Sequence, residues 1–316
     1  MSEAEEFADE IHHHVKRKFK RRKVIVTGLD EIWGMDLASM ESFASYNNGY
    51  KYILCIIDVF SKFAWCIPLK NKTAASILTA VKDVVSESKR QPEKIWVDRG
   101  SEFYNKDFKS WATKNKITIY STYGESKSVV VERFIRTLKE LITRKFSSTQ
   151  SRDWVKILPG VLKYYNNKYH TTIKMSPTEA SDPMNEVQVY NNVNHEEKVK
   201  KKKPKFKVGD QVRISVVKGK FEKGYTPNFS YEVYTVSKVL DTNPITYKLV
   251  DYNEDAISGS FYENEMLKTK HPEHYEVEAI LETRKRGNKK EHLVKFYGWD
   301  KKFSEWIPED QVKDIK

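Results

Sequence analysis

Soon after Ile32 the apolar residues gather into three short runs: WGMDLASM (33–40), YKYILCIIDVF (50–60) and KFAWCIPLK (62–70). They are rich in Ile, Tyr, Trp and Phe, and the turn residues Asn47-Asn48-Gly49 and Ser61-Lys62 separate them, so they predict three meandering strands. The period then lengthens to that of a helix. From Ala74 to Ser88, Ile77, Leu78, Val81, Val84 and Val85 share one face, and Thr73 can cap the first turn. KIWV (94–97) predicts a strand, Tyr104 to Asn115 a helix and ITIY (117–120) another strand. Helices follow over Val129 to Phe146 and Asp153 to Tyr165. Three strands followed by alternating helices and strands predict a mixed α/β sheet with helices packed on it.

After Tyr190 the pattern changes twice. NNVNHEEKVKKKKPK has no apolar face and reads as a linker. Beyond it FKVGDQVRI, YEVYTVSKVL and ITYKLVD alternate apolar and polar residues, with turns at Gly209-Asp210, Asp241 to Pro244 and Gly259, as in a small all-β barrel. His271-Pro272 opens a last section with the strands YEVEAILETR and EHLVKFYGW and a short C-terminal helix expected after Pro308. The first fifteen residues show no apolar period, and His12, His13 and His14, without a cysteine pair, read as a solvated tract. These changes divide the chain into a basic arm (1–28), an α/β domain (29–190), a Lys-rich linker (191–205), a barrel (206–269) and a C-terminal module (270–316).

Charge sharpens this division. The 316 residues hold 56 Lys and Arg against 44 Asp and Glu, a net charge of +12. Lys16 to Lys23 (KRKFKRRK) and Lys198 to Lys207 (KVKKKKPKFK) together hold fourteen of the basic residues and no acid, so the remainder is close to neutral. Positive charge confined to two tracts points to a polyanion partner. The longest apolar run, Tyr52 to Phe60, contains Asp58 and falls far short of the ~20 residues of a membrane span, so no membrane partner is expected.

Three acids stand out from those on solvated faces. Asp36 lies inside a strand, where Asp is disfavoured. Asp98 follows the apolar run IWV, and Glu132 lies in the first turn of a helix whose apolar face includes Val131, Phe134 and Leu138. A strand centre, a neighbouring strand end and a helix start can meet at one sheet edge. Carboxylates gathered there repel one another unless cations neutralise them, and hard divalent ions with oxygen ligands are suited to that task. Spacing alone leaves open an ordinary set of strand-end acids.

At these motifs the chain resembles a retroviral-type integrase, and within that group the integrases of Maverick/Polinton transposons and related viruses. The resemblance is carried by WGMDLASM, YKYILCIIDVFSKFAWCIPLKNKT, IWVDRGSEF, VVVERFIRTLKELI and YHTTIKMSPTEA. It implies a ribonuclease-H-like mixed five-stranded sheet and a D,D,E triad of Asp36, Asp98 and Glu132, serving as metal ligands and catalytic residues. It also implies two Mg²⁺ ions, replaceable by Mn²⁺, and a reaction that processes 3′ ends of element or viral DNA and transfers them into target DNA. Asp58, Glu102 and Glu125 are expected to have local structural roles. Retroviral relatives open with a zinc-binding HHCC domain, but no cysteine precedes Cys55 here. Either that domain is missing or the chain is a fragment.

The resemblance extends to both C-terminal sections. KFKVGDQVRI resembles the integrase barrel, and double-stranded DNA is the implied partner. Expected contacts are Arg136 and Lys139 on the triad helix, Lys16, Arg17, Lys20, Arg21 and Arg22 in the arm, and Lys201, Lys202, Lys203, Lys205, Lys207 and Arg213 beyond it. The last section resembles a chromodomain, three short strands plus a C-terminal helix. Tyr275, Phe296 and Trp299 match its methyl-lysine cage for a methylated histone tail, and Trp306 is expected in its core. Joining two DNA ends implies a dimer or tetramer on DNA. The expected location is nuclear, with packaging in a virus particle as a further setting. Two alternatives stay open: a divalent-metal nuclease that cuts without joining, and a domesticated chromatin-binding protein with a silent core.

Overall fold

The computed structural model describes residues 3–22, 24–98, 100, 102–121, 129–194, 203–216, 218, 225–270, 277–287 and 289–312. The chain forms two compact units, residues 24–199 and residues 1–23 with 200–316. Helix α1 (Glu3–Ile11) opens the second of these.

The 24–199 unit is built on strands β1 (Ile32–Ser39), β2 (Tyr52–Asp58), β3 (Ala64–Leu69), β4 (Lys94–Trp96) and β5 (Thr118–Tyr120). Between and after them come α2 (Ala74–Ser88), α3 (Lys106–Lys114), α4 (Val129–Thr149), α5 (Trp154–Asn167), α6 (Pro177–Ala180) and α7 (Glu186–Val193). The sheet order is β3-β2-β1-β4-β5; the first three strands are antiparallel, and β4 and β5 run parallel to β1. This is the mixed five-stranded ribonuclease-H-like sheet.

Strand alternation gives the sheet two buried faces. Trp33, Met35, Leu54 and Ile56 pack with Ile77 and Val81 of α2 and Phe108 of α3. Ala38, Ile53, Cys55 and Ile57 pack on the other face with Val131, Phe134 and Leu138 of α4 and Trp154 and Leu158 of α5. Residue 36 alternates onto this second face, the one α4 covers. Thr73 caps α2, its side chain accepting from the Ser76 N–H.

A buried ionic knot pins one edge of this sheet. The Asp58 carboxylate accepts from the Ser61 hydroxyl at 2.5 Å and from the Phe60 and Ser61 N–H groups at 3.2 Å. Arg90 donates to Asp58 at 2.9 Å and to Asp30 at 2.7 Å, with its guanidinium over the Trp65 ring. Asp58 thus orders the turn to Lys62, whose Nζ donates to the Val59 carbonyl at 2.6 Å.

The second unit contains β6 (Gln211–Ile214), β7 (Tyr234–Leu240), β8 (Thr246–Val250), β9 (Phe261–Tyr262) and β10 (Met266–Lys268). They form a five-stranded sheet in the order β10-β6-β7-β8-β9 around Phe206, Val212, Val236, Tyr247 and Leu249. Next comes a three-stranded sheet of β11 (Val277–Arg286), β12 (Lys289–Phe296) and β13 (Glu305–Pro308). Where a C-terminal helix is expected, the described residues hold one 3-10 turn, Glu309–Gln311.

The N-terminal segment departs from the expected free arm. Phe7 and Ile11 of α1 are 5% and 3% exposed, and the Ile11 carbonyl accepts from the backbone N–H groups of Asn228 and Phe229 at 2.8 and 3.0 Å. Sequence reading misses this helix because two apolar positions one turn apart are too few to establish a period. Among the described residues no helix is long and apolar enough to cross a membrane.

Candidate active site

The parallel β1–β4 register sets the first two acids side by side. Ile32, Trp33 and Gly34 pair with Lys94, Ile95 and Trp96, and carrying this register two residues further brings Asp98 level with Asp36. The end of β4 is tied down by Ser121, whose hydroxyl donates to the Val97 carbonyl at 2.7 Å and lies 2.6 Å from the Tyr104 hydroxyl. On the other side of β1, Asp36 pairs with Cys55, which pairs with Cys66.

Asp36 is half-buried and accepts the Leu37 N–H at 2.7 Å. Burial, followed by repulsion from Asp98, Glu132 and Glu102, pushes its carboxyl up to about 6 despite that hydrogen bond. The three acids read from the sequence therefore share one electrostatic site. Glu102 is a fourth member, where a purely local role is expected. Its carboxylate folds back over Gly100, within 2.6 Å of where a Cβ would stand.

Helix α4 supplies the other charges. Val131, Phe134 and Leu138 bury its apolar face, while Glu132, Arg136 and Lys139, spaced i, i+4, i+7, are exposed along another. Lys139 is close enough to the sheet to oppose the upward shift that burial imposes on the Cys55 thiol. A cation thus stands at the margin of the acidic group.

The donor set suits a hard divalent ion: carboxylate oxygens on a strand, just beyond the end of its neighbour and in the first turn of a helix, one of them destabilised as an anion. Among the described residues no three His, Cys, Asp or Glu side chains form a ready ligand group. The carboxylates converge without closing into a cage.

The remaining expected site residues divide. Lys16, Arg17, Lys20, Arg22, Lys203, Lys205 and Lys207 are exposed, and Arg21 stands 3.6 Å from Glu265. Lys201, Lys202 and Tyr275 lie outside the described residues. Arg213 is a correction. It is 0% exposed, donates to Glu10 at 3.2 Å and to the Ser230 and Tyr231 carbonyls, and lies beneath the Phe7 ring. Arg213 lies on the face of β6 opposite the core residue Val212, and α1 covers that face, so the guanidinium anchors α1 and is not presented to phosphate.

The expected cage needs a second correction. Phe296 and Trp299 are 8% and 6% exposed and pack with Val294, Phe303 and Ile307 in the core of the C-terminal module. Gly298, at φ +77°, allows the turn that brings Trp299 back onto this core. Trp306, expected in the core, is instead half-buried with the Arg284 guanidinium 4.0 Å above its ring. The aromatic spacing of the sequence does not reveal which tryptophan faces inward.

Comparison with known proteins agrees with this geometry. Residues 27–123 match the integrase core domain family, and residues 261–314 match the Tudor-knot family, the RNA binding activity-knot of a chromodomain. A transposon-derived protein of Caenorhabditis elegans is 30% identical over 233 residues, covering 72% of this chain and 76% of that protein. The Gag-Pol polyprotein of feline leukemia virus is 34% identical over 121 residues, covering 38% of this chain and 7% of the polyprotein. Among solved structures, the simian T-cell lymphotropic virus intasome in complex with PP2A regulatory subunit B56 gamma has a chain superposing with a TM-score of 0.57. That match has 13% identity and covers 85% of this chain and 91% of the other.

Proposed function

This chain belongs to the retroviral-type integrase family, and from that premise we propose that it trims the 3′ ends of an element's DNA and joins them to a target duplex. The observation that carries this reading is the parallel β1–β4 register that sets Asp98 level with Asp36 on the face covered by the helix of Glu132. Asp36, Asp98 and Glu132 would hold divalent metal, two Mg²⁺ or their Mn²⁺ substitutes, with Glu102 beside them. Bound there, such ions would polarise the scissile phosphate and favour an ionised attacking oxygen.

The protein's own groups then position substrate. Arg136 and Lys139 hold the DNA end against the acidic group, and the anchored end of β4 keeps Asp98 level with Asp36. Water attacks in the trimming step and the freed 3′-hydroxyl in the joining step, so no protein side chain becomes linked to DNA. Two ends joined across a target require two such sites, hence a dimer or tetramer. The source is a Maverick/Polinton-type transposon or a related virus, and the protein acts in the nucleus, where its basic tracts can also serve import.

The test is strand transfer of an end-mimicking oligonucleotide with Mg²⁺ or Mn²⁺. Asp36→Asn, Asp98→Asn and Glu132→Gln should each abolish joined products, whereas Asp58→Asn should retain activity if it folds. Cut ends without joined species would make the protein a nuclease. Full activity in any of the three variants would sink the triad assignment.

A further inference from the structure

The two basic tracts are remote in sequence, yet one short turn holds both. That turn is the 3-10 segment Glu263–Glu265, preceded by Tyr262. On the arm side, the Arg22 N–H donates to the Tyr262 hydroxyl at 3.0 Å. The Phe19 and Tyr262 rings lie 5.4 Å apart, and Arg21 stands 3.6 Å from Glu265. On the linker side, the Lys205 N–H donates to Glu263 Oε1 at 3.0 Å, and the same oxygen accepts from the Tyr247 hydroxyl at 2.9 Å. These contacts involve backbone groups, rings and one guanidinium, while the side chains of Lys16, Arg17, Lys18, Lys203, Lys205 and Lys207 are exposed.

We propose that the arm and the linker end form one composite cationic surface that receives the phosphate backbone of a single DNA duplex. The proposal rests on the reading of this protein as an enzyme acting on DNA, and it names where the duplex is gripped outside the acidic site. Three physical points support it. Six of the seven residues Lys16–Arg22 are basic, and this stretch carries neither helix nor strand. A non-helical chain can advance up to about 3.3–3.6 Å per residue, so the arm can extend across the backbone of a duplex that carries one charge per ~1.7 Å of its axis. Tracts already pinned to a folded unit lose less conformational freedom on binding than free arms do. The strand cation that would compete for this role, Arg213, is buried and occupied.

The experiment uses the full chain and a generic duplex, with affinity followed across a salt series. Lys16→Ala/Arg17→Ala/Lys18→Ala and Lys203→Ala/Lys205→Ala/Lys207→Ala should each lower the slope of log K against log salt by about 2–3, at ~0.9 for every phosphate that is no longer neutralised. Photo-crosslinkers placed at Lys18 and Lys205 should both capture the same duplex in a one-to-one complex. Two duplexes per chain, one on each tract, would overturn the shared surface, as would a wild-type slope in either triple variant. Tighter binding of an RNA duplex of equal length would overturn the choice of DNA. Wild-type strand transfer with unaltered slopes would remove this surface and leave the proposed function standing. Altered slopes in a chain without strand transfer would do the reverse.

Discussion

Arg90 and Asp58 meet across 2.9 Å inside the 24–199 unit, and the Asp58 side chain has no solvent exposure at all. Burial pushes the Asp58 carboxyl up, and the Ser61 hydroxyl and Arg90 counter it. Arg90→Met should leave a buried acid without its cation and cost this unit about 3–5 kcal/mol. Adding Asp58→Asn should recover part of the loss. Urea denaturation of the single and double variants checks both outcomes.

Asp36 ties stability to pH in the opposite sense from a salt-bridged acid. Its carboxyl titrates near 6 in the folded chain against an ordinary value of 3.8, so at intermediate pH the folded state holds a proton that the unfolded state has released. The favourable contribution is complete below about pH 4 and is lost as pH rises through 6. Metal-free Asp36→Asn should therefore be more stable than wild type at pH 7, by roughly 1–3 kcal/mol after allowing for partial exposure. The difference should vanish near pH 4. Adding Mg²⁺ should raise the melting temperature of wild type and leave the variant unchanged.

Arg213→Ala separates anchoring from phosphate contact. Removing a buried guanidinium leaves Glu10 without its cation and the Ser230 and Tyr231 carbonyls short of a donor, a loss of about 3–5 kcal/mol for the second unit. Deleting residues 1–11 should destabilise that unit in the same direction. Thermal melting reads both effects. An Arg213 variant that melts as wild type and loses only DNA affinity would restore the phosphate role.

The two tryptophans of the C-terminal module should respond unequally. Trp299→Ala opens a cavity among Val294, Phe296 and Ile307 and should cost about 3–5 kcal/mol. Trp306→Ala mainly removes a half-exposed ring and its Arg284 contact, so the loss should be near 1 kcal/mol. Denaturation midpoints rank the pair. Loss of trimethyl-lysine peptide binding in Trp299→Ala would need a folded variant before it could be read as loss of a cage.

Most of the five-stranded unit is legible because its first three strands are short, nearly continuous apolar runs between turn residues, and its longer helices α2, α4 and α5 gather apolar residues on one face. Asp36, Asp98 and Glu132 stand out as motif residues, and the parallel β1–β4 register accounts for Asp98 lying level with Asp36. Glu102 does not, because its role depends on a carboxylate folding back over Gly100, a conformation that residue spacing does not encode. Arg213 and Trp299 were misread for a shared reason. A guanidinium and an indole serve equally well at a surface or inside when the right partners surround them, and here Glu10 and Tyr252, remote in sequence, are among those partners. Helix α1 has too few apolar positions to set a period, and the residues that bury it lie far along the chain.

The Glu10–Arg213 pair spans 203 positions of sequence. During synthesis the N-terminal helix leaves the ribosome long before its anchor exists, and the whole α/β unit can fold in the interval. At about 5–20 residues per second that interval lasts on the order of ten seconds or more. Throughout it, Phe7 and Ile11 have no surface to bury against. The second unit therefore closes around α1 only after both basic tracts have been made.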